Sequence, residues 1–527
     1  MRYALPLVVG LIALPATVFA GGFEIGDNGA RSLGRGGAYV AGVDEASALY
    51  YNPAALTRLD GLSLTLNLNL VDYNATYQRS PFIFEERPGN SRSEREIQYD
   101  EVTQQTAIFP APMFFLGTNF GLENWSFGIG AYGPSAFGAA SYTPFEQPPD
   151  GFEGDICGNY RPCADAVGTD ADESVITRDG GQSFMVVDST VILAYPSLAV
   201  ARYIEQANLS VGLTLQLATL FVDYTVGVDG DLSQEGQAEG TSQEKFDFYT
   251  PNTLNVRGFG FTGILGLLYE PTPFLSFGAS YRPQFNMVGK GTIDLVFPEG
   301  LSGAGLALSE DTAELRLSMP DVVRLGVEYA HLNDEGRNLF DIELDWVWEN
   351  WSVTDAFRVT VPGQVSDVTG TLDERNIPNL TLGRHYNASW SLRLGAELNM
   401  LRKESGDGPV IRFGGFYETP SVDEEWTNLD FTPFERIAGT LGFSYHIKRW
   451  SIDLAYAYIW SPDRTVAVGE GNYDVLTPLW VCEDPSNANY PEECAGLVGN
   501  TQTGHAANEG TYTTWTQTFS LGGTYGW

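Results

Sequence analysis

Cationic residues and the nitrogen- and sulfur-donor metal ligands are scarce in this chain. Its 527 residues include four His, four Cys, six Met, and 29 Lys and Arg against 67 Asp and Glu, for a formal net charge of −38. A chain so short of cations excludes a nucleic-acid role driven by phosphate neutralisation. His331, His385, His446 and His505 are scattered, and no nucleophile-elbow motif accompanies them. No histidine lies near a cysteine, so a zinc site lacks its ligands. No long apolar run follows the first twenty residues, whereas a membrane helix needs about eighteen or more such residues in sequence. A catalytic site, a metal, a cofactor and a helical membrane span are therefore not expected.

Two further patterns are discounted. Gly258, Gly260 and Gly263 spell a phosphate-loop spacing, but they alternate with Phe259 and Phe261 and no helix follows. Asp170, Asp172 and Glu173 read as a solvated acidic loop rather than a Ca²⁺ site.

What is present points to export and to strands. Met1 to Ala20 has Arg2, an apolar core from Leu5 to Leu14, and Val18-Phe19-Ala20 before a cleavage point, the pattern of a secretory signal. In an exported chain, the even cysteine count and spacing suggest two local disulfides, Cys157–Cys163 and Cys482–Cys494. From residue 61 onward, apolar and polar residues alternate in segment after segment. The cleanest is 209–221, with Leu209, Val211, Leu213, Leu215 and Leu217 on one face and Ser210, Gly212, Thr214 and Gln216 on the other. Export, no helical span, period-two segments and abundant aromatics (26 Tyr, 30 Phe) are the signature of an outer-membrane β-barrel, with the first set toward lipid. The net negative charge fits acidic loops in water at the exposed rim.

One stretch breaks the alternation. Gly21 to Thr57 is rich in Gly and Ala, follows neither a helical nor a strand period, and ends in Tyr-Tyr-Asn-Pro-Ala. A compact irregular segment before a succession of amphipathic strands suggests a plug inside the barrel. The expected organisation is 1–20 signal peptide, 21–60 plug and 61–527 barrel.

The period-two reading also brings charges into the lumen. Asp341, Glu343 and Asp345 lie opposite Phe340, Ile342, Leu344 and Trp346, and Arg324, Arg393, Glu397, Arg412 and Arg436 lie opposite apolar faces of their own strands. An arginine on the lipid face near mid-membrane costs about 2–4 kcal/mol, which favours the inward assignment. These residues are expected to brace the barrel and hold the plug, with Arg31 and Arg35 as plug partners. The other reading gives one arginine a substrate carboxylate.

The segment with Gly22-Phe23, Ser32-Leu33-Gly34-Arg35-Gly36 and Asn52-Pro53-Ala54 resembles the N-terminal hatch of the FadL/TodX-type outer-membrane transporters, and the barrel pattern extends the resemblance over the mature chain. The resemblance implies an all-β fold: a transmembrane antiparallel barrel of about 14 strands, with the plug in its lumen, acting as a monomer in the Gram-negative outer membrane. It implies passive uptake of long-chain fatty acids, or alternatively of neutral hydrocarbons, past outer-membrane lipid and lipopolysaccharide. Capture would fall to an apolar loop with Val296, Phe297, Leu301, Leu306 and Leu308, and ligand contact at the plug to Phe23. Lateral exit would occur at a kink in the third strand, Tyr132-Gly133-Pro134. One departure favours hydrocarbons: Ala218 to Tyr224 carries no Lys or Arg where the fatty-acid members have basic residues. A general porin is the rival from another class.

Overall fold

The computed structural model describes residues 28–86, 93–106, 108–133, 139–143, 156–157, 161–162, 175–178, 180–229, 249–296, 306–367, 375–376, 380–402, 406–473 and 506–526. Residues 1–20, Phe23, Pro134, Cys163, Phe297, Leu301, Cys482, Cys494 and the acidic loop at 170–173 lie outside these, as do the side chains of Cys157 and Leu306.

Fourteen strands form one closed antiparallel barrel. They are β1 (Leu62–Arg79), β2 (Val102–Thr103 and Phe109–Thr118), β3 (Trp125–Ala131, resuming at Ala139–Ser141) and β4 (Asp188–Ala194 and Ser197–Ile204). Next come β5 (Leu209–Asp229), β6 (Tyr249–Thr272), β7 (Leu275–Arg282 and Phe285–Asp294) and β8 (Thr312–Met319 and Val322–Leu332). They are followed by β9 (Asn338–Glu349 and Ala356–Thr360), β10 (Leu380–Gly383 and Ser389–Asn399) and β11 (Gly408–Glu418). The last three are β12 (Arg436–Ile447), β13 (Trp450–Trp460 and Arg464–Val466) and β14 (Gly510–Gly526). β14 returns to β1 in a continuous ladder from Ser63↔Gly526 to Arg79↔Gly510, which leaves the sheet no edge. Closure pairs the last strand with the first, as a bilayer requires of a sheet that spans it.

Side-chain alternation sorts each strand into two faces. On β5, Leu213 and Leu215 are 37 % and 59 % exposed, while Ser210, Thr214 and Gln216 are buried inside. Phe259, Leu265, Leu344, Leu392, Leu441 and Leu454 continue the outer apolar belt around the barrel. Connections at one rim are short, such as 205–208, 333–337 and 448–449, and those at the other are long, such as 142–187 and 467–509. By the usual asymmetry the long connections face outward from the cell.

The described N-terminal residues fill the lower lumen. They form two short helices, α1 (Ala30–Gly34) and α2 (Ala48–Tyr51), and a 3-10 turn at Pro53–Arg58. Nearly all of residues 28–56 are buried.

Pro320 has no N–H and interrupts the β8 ladder between Met319 and Val322. The first segment of β3 stops at Ala131. Before β4, Gln182, Ser183, Phe184, Met185 and Val186 turn into the barrel and are buried.

Candidate functional site

The plug is held by the luminal carboxylates. Arg35 donates from Nη1 to Asp341 (2.5 Å) and from Nη2 to Glu343 (3.0 Å). Glu343 also accepts from the backbone N–H of Ala41 (2.6 Å) and Gly42 (3.1 Å), and Asp345 from those of Tyr39 (2.8 Å) and Val40 (3.0 Å). One strand, β9, thus grips an arginine and four consecutive peptide donors of the plug. Arg324 donates to the Tyr50 hydroxyl at 3.1 Å. Arg31, by contrast, pairs within the plug, with Asp44 at 2.8 Å and Glu45 at 3.7 Å. Enclosure pushes the Asp44 carboxyl up, but the Arg31 guanidinium beside it wins and holds it at about 2. The remaining charges brace the wall: Arg393 and Arg436 share Glu418, and Arg412 pairs with Glu397.

The Asn-Pro-Ala motif docks the plug on β5 and β6. Asn52 donates from Nδ2 to the carbonyls of Val40 (3.0 Å) and Leu267 (2.9 Å), and its Oδ1 accepts from the Ala54 N–H (3.2 Å), capping the 3-10 turn that Pro53 opens. The contact needs walls without side chains. A Cβ on Gly212 would lie 2.3 Å from the Ala54 nitrogen, and one on Gly266 2.4 Å from Asn52 Oδ1.

Above the plug the lumen changes character. The inward residues of β5 are Ser210, Thr214 and Gln216 beside the plug, then Ala218, Leu220, Val222 and Tyr224 higher up. On β8 the inward Arg324 gives way to Met319, Leu317 and Leu315. The result is an apolar cavity walled by strands β4 to β10 and bounded by Phe431 from the 419–435 connection. Met287, Phe357, Val359 and Leu382 complete much of its wall.

One cation lines it. Arg384, 2 % exposed, follows the upper segment of β10, with its guanidinium carbon 4.5 Å from the centre of the Phe357 ring. Its Nη2 pairs with Asp430; its Nε and Nη1 make no well-formed hydrogen bond among the described residues, although the Tyr224 and Tyr473 hydroxyls interact with the guanidinium. Asp430 also accepts from the Phe431 N–H (2.8 Å) and the Tyr224 hydroxyl (3.3 Å). Burial pushes the Asp430 carboxyl above its ordinary value, against the opposing pull of Arg384. A buried arginine with poorly met N–H groups is costly, and a bound acceptor relieves that cost.

The sequence reading missed this site. Its signal is an inversion of the alternation: at 313–319 the apolar residues point inward and Glu314, Arg316 and Ser318 outward, the reverse of the pattern lower on the same strand. The luminal arginines singled out from the sequence are engaged with the plug or the wall, and Arg384 was not among them.

The interruption of β3 lies next to the cavity. Tyr132 is buried, stacks on Phe115, and accepts from Gln216 Nε2 (2.7 Å) and Ser197 Oγ (3.2 Å). Its carbonyl accepts from the Tyr195 N–H at 2.7 Å. Gly133 presses on β4, where a Cβ would come 2.3 Å from the Leu193 carbonyl oxygen. Val191 of the cavity wall is two residues along β4 from Leu193, ~7 Å at strand spacing. Of the capture residues, Val296 is exposed and donates its N–H to Asn252 Oδ1 at 2.9 Å. Leu308 packs against the core, in a short ladder, Leu306–Leu308 with Gln364–Asp367.

A closed 14-stranded barrel with a filled lower lumen and an apolar cavity above it is an outer-membrane protein of the transport class. The chain belongs to the outer membrane protein transport protein family (OMPP1/FadL/TodX), matching it over residues 11–147 and 165–479. Solved structures agree in fold. A FadL homologue of Pseudomonas aeruginosa is 16 % identical, covers 96 % of this chain and 100 % of its own, and superposes with a TM-score of 0.65. The toluene transporter TodX of P. putida is 15 % identical, with 96 % and 99 % covered and a TM-score of 0.59. The toluene transporter TbuX of Ralstonia pickettii is 17 % identical, with 95 % and 100 % covered and a TM-score of 0.54. No curated protein matches the sequence.

Proposed function

We propose that this protein carries hydrophobic molecules passively across the outer membrane, with long-chain fatty acids as its main cargo. The observation that carries the reading is an apolar cavity lined by one buried guanidinium, two of whose nitrogens make no well-formed hydrogen bond among the described residues. Each methylene taken from water into such a cavity gains about 0.8 kcal/mol, which a water-filled pore cannot supply. The arginine adds orientation, holding a carboxylate head while the chain lies against Leu220, Leu317 and Met319.

Extracellular capture involves the segment from Val296 to Leu308. The ligand then occupies the cavity above the plug, where Phe23 is a candidate contact. It leaves sideways through the wall at Tyr132-Gly133-Pro134, close to Val191 and Leu193 of β4. Such a route keeps the cargo out of bulk water and away from the charged lipopolysaccharide layer. Each barrel carries its own plug and cavity and acts as a monomer. The luminal charges hold the plug rather than the cargo, and the two cysteine pairs close loops on the extracellular side.

Neutral hydrocarbons are the second reading. Arg384 is already paired with Asp430, and the wall at 218–224 has no cation of its own. Two of the similar structures are toluene transporters.

Mass spectrometry of hydrophobic molecules retained by the purified protein tests both readings. Fatty acids bound in the wild type and lost on narrowing the cavity with Leu317→Trp support the first. Retained hydrocarbons without carboxylates support the second. Large single-channel conductance in planar bilayers, with nothing retained, would overturn both in favour of a porin.

A further inference from the structure

The outer wall carries a cluster of cations that transport leaves unexplained. Moving outward along β6, Phe261 and Phe259 are 70 % and 61 % exposed and belong to the lipid-facing belt. The next residue on that face is Arg257, which also lies over the Phe221 ring of β5. Directly opposite Arg257 on β7 stands Lys290. On β8, Glu314 faces Lys290, and Arg316, one outward position below it, faces Arg358 of β9.

Two cross-strand pairs, Arg257–Lys290 and Arg316–Arg358, are therefore like-charged. Like charges placed directly opposite each other destabilise a sheet. The side chains of Lys290, Arg316 and Arg358 are 77 %, 68 % and 52 % exposed. Two carboxylates stand among them: Glu314 accepts from Arg316 Nε at 2.7 Å and lies 3.4 Å from Lys290, and Asp355 pairs with Arg358 at 2.8 Å. Within the row four cations meet two carboxylates, a local excess of two positive charges on a chain of net charge −38, with Asp223 and Asp294 further out on the same faces of β5 and β7. The other exposed Lys and Arg side chains among the described residues, Arg202, Arg402, Lys448 and Arg449, stand at or near the short periplasmic turns.

We propose that this row binds the phosphates of an outer-leaflet glycolipid, bisphosphorylated lipid A, while its acyl chains lie against Phe259 and Phe261. The height is right, since the cations begin where the apolar belt ends on the extracellular side. The span is right as well: neighbouring strands are about 4.8 Å apart, so four strands cover ~15 Å and present more than one phosphate-binding position. Arginine suits the task because its planar fork meets phosphate oxygens two at a time. The basic row gives an otherwise acidic protein one face that an anionic leaflet attracts.

The test uses the full-length protein in nanodiscs with bisphosphorylated lipid A, dephosphorylated lipid A, or neither plus free inorganic phosphate. The wild type is expected to retain the bisphosphorylated form about tenfold or more over the dephosphorylated one, the scale for a local excess of roughly two cations at an anionic surface. The variant Arg257→Gln/Lys290→Gln/Arg316→Gln/Arg358→Gln is expected to lose that preference, and Arg402→Gln/Lys448→Gln/Arg449→Gln to keep it. Heat-modifiable gel mobility reports whether each barrel is folded. If the quadruple variant does not assemble, Arg316→Gln/Arg358→Gln alone is expected to lose part of the preference. Equal retention by folded wild type and folded variant overturns the proposal. So does displacement by inorganic phosphate as effective as that by the lipid, which would make the row a simple anion site.

Discussion

Replacing the cavity's ion pair separates the two cargo readings. Arg384→Met alone would leave Asp430 buried without its partner, at a cost of about 3–5 kcal/mol, and a loss of binding would then report misfolding. The informative variant is Arg384→Met with Asp430→Asn, which removes both charges; the Asn side-chain oxygen still accepts from the Phe431 N–H that now meets Oδ1, its amide nitrogen takes the place of Oδ2, and the Tyr224 hydroxyl keeps the Met185 carbonyl. A carboxylate head accepting from Nε and Nη1 of Arg384 makes charge-assisted bonds worth about 1.5–3 kcal/mol. The double variant should therefore bind a long-chain fatty acid ~10- to 150-fold more weakly. An alkane of equal chain length should be unaffected. Asp430→Asn alone removes the carboxylate that competes for Arg384, so fatty-acid affinity should rise. Proton uptake gives an independent reading. Burial already pushes the Asp430 carboxyl up, and a second carboxylate on the same guanidinium pushes it further. Protonated Asp430 is thus favoured in the complex, and affinity should increase as pH falls through the value in the complex and decline as pH rises past it. Titration calorimetry in buffers of different ionisation enthalpy measures the proton taken up, and Asp430→Asn should abolish it. Equal weakening of alkane and fatty acid in the double variant would show that Arg384 only packs the wall. No change for either would remove the head group from this site.

Three further outcomes follow from the geometry. Leu215→Arg puts a charge on the 59 %-exposed lipid face of β5; at a cost of about 2–4 kcal/mol near mid-membrane it should lower the folded yield on a heat-modifiability gel. Thr214→Arg should lower it as well, because Thr214 is buried and donates to the Leu49 carbonyl of the plug at 2.7 Å. Arg35→Met strands Asp341 and Glu343, a loss of about 3–5 kcal/mol at the plug. Hydrogen exchange should rise in residues 28–59 while the barrel stays heat-resistant, and unchanged protection would show that the peptide contacts to Asp345 suffice. Gly133→Val drives a side chain into the Leu193 carbonyl oxygen, 2.3 Å from the Cβ position. A folded variant should show reduced uptake of labelled fatty acid with surface binding kept, and normal uptake would remove β3 from the route.

Much of this molecule is legible along the chain, because in a barrel wall one local variable, the parity of a residue, decides whether it meets lipid or lumen. Leu213 and Leu215 against Thr214 and Gln216, and Ile342 and Leu344 against Glu343 and Asp345, are sorted correctly by alternation alone. The aliphatic and aromatic belt and the irregular segment ending in Asn52-Pro53-Ala54 follow from the same local chemistry, whereas the strand count of about 14 comes with the family resemblance. Parity carries no height, however. Leu315, Leu317 and Met319 point inward and Arg316 outward, because that part of β8 stands at the outer edge of the apolar belt, where water and head groups replace lipid tails. The cavity therefore exists only once β4 to β10 are brought side by side at one level. Its arginine acquires meaning only when the 419–435 connection lays Asp430 and Phe431 against it. The plug's partners are likewise distant along the chain, 306 residues in the case of Arg35 and Asp341. Alternation fixes the face a side chain occupies; closure of the barrel decides which faces meet across it.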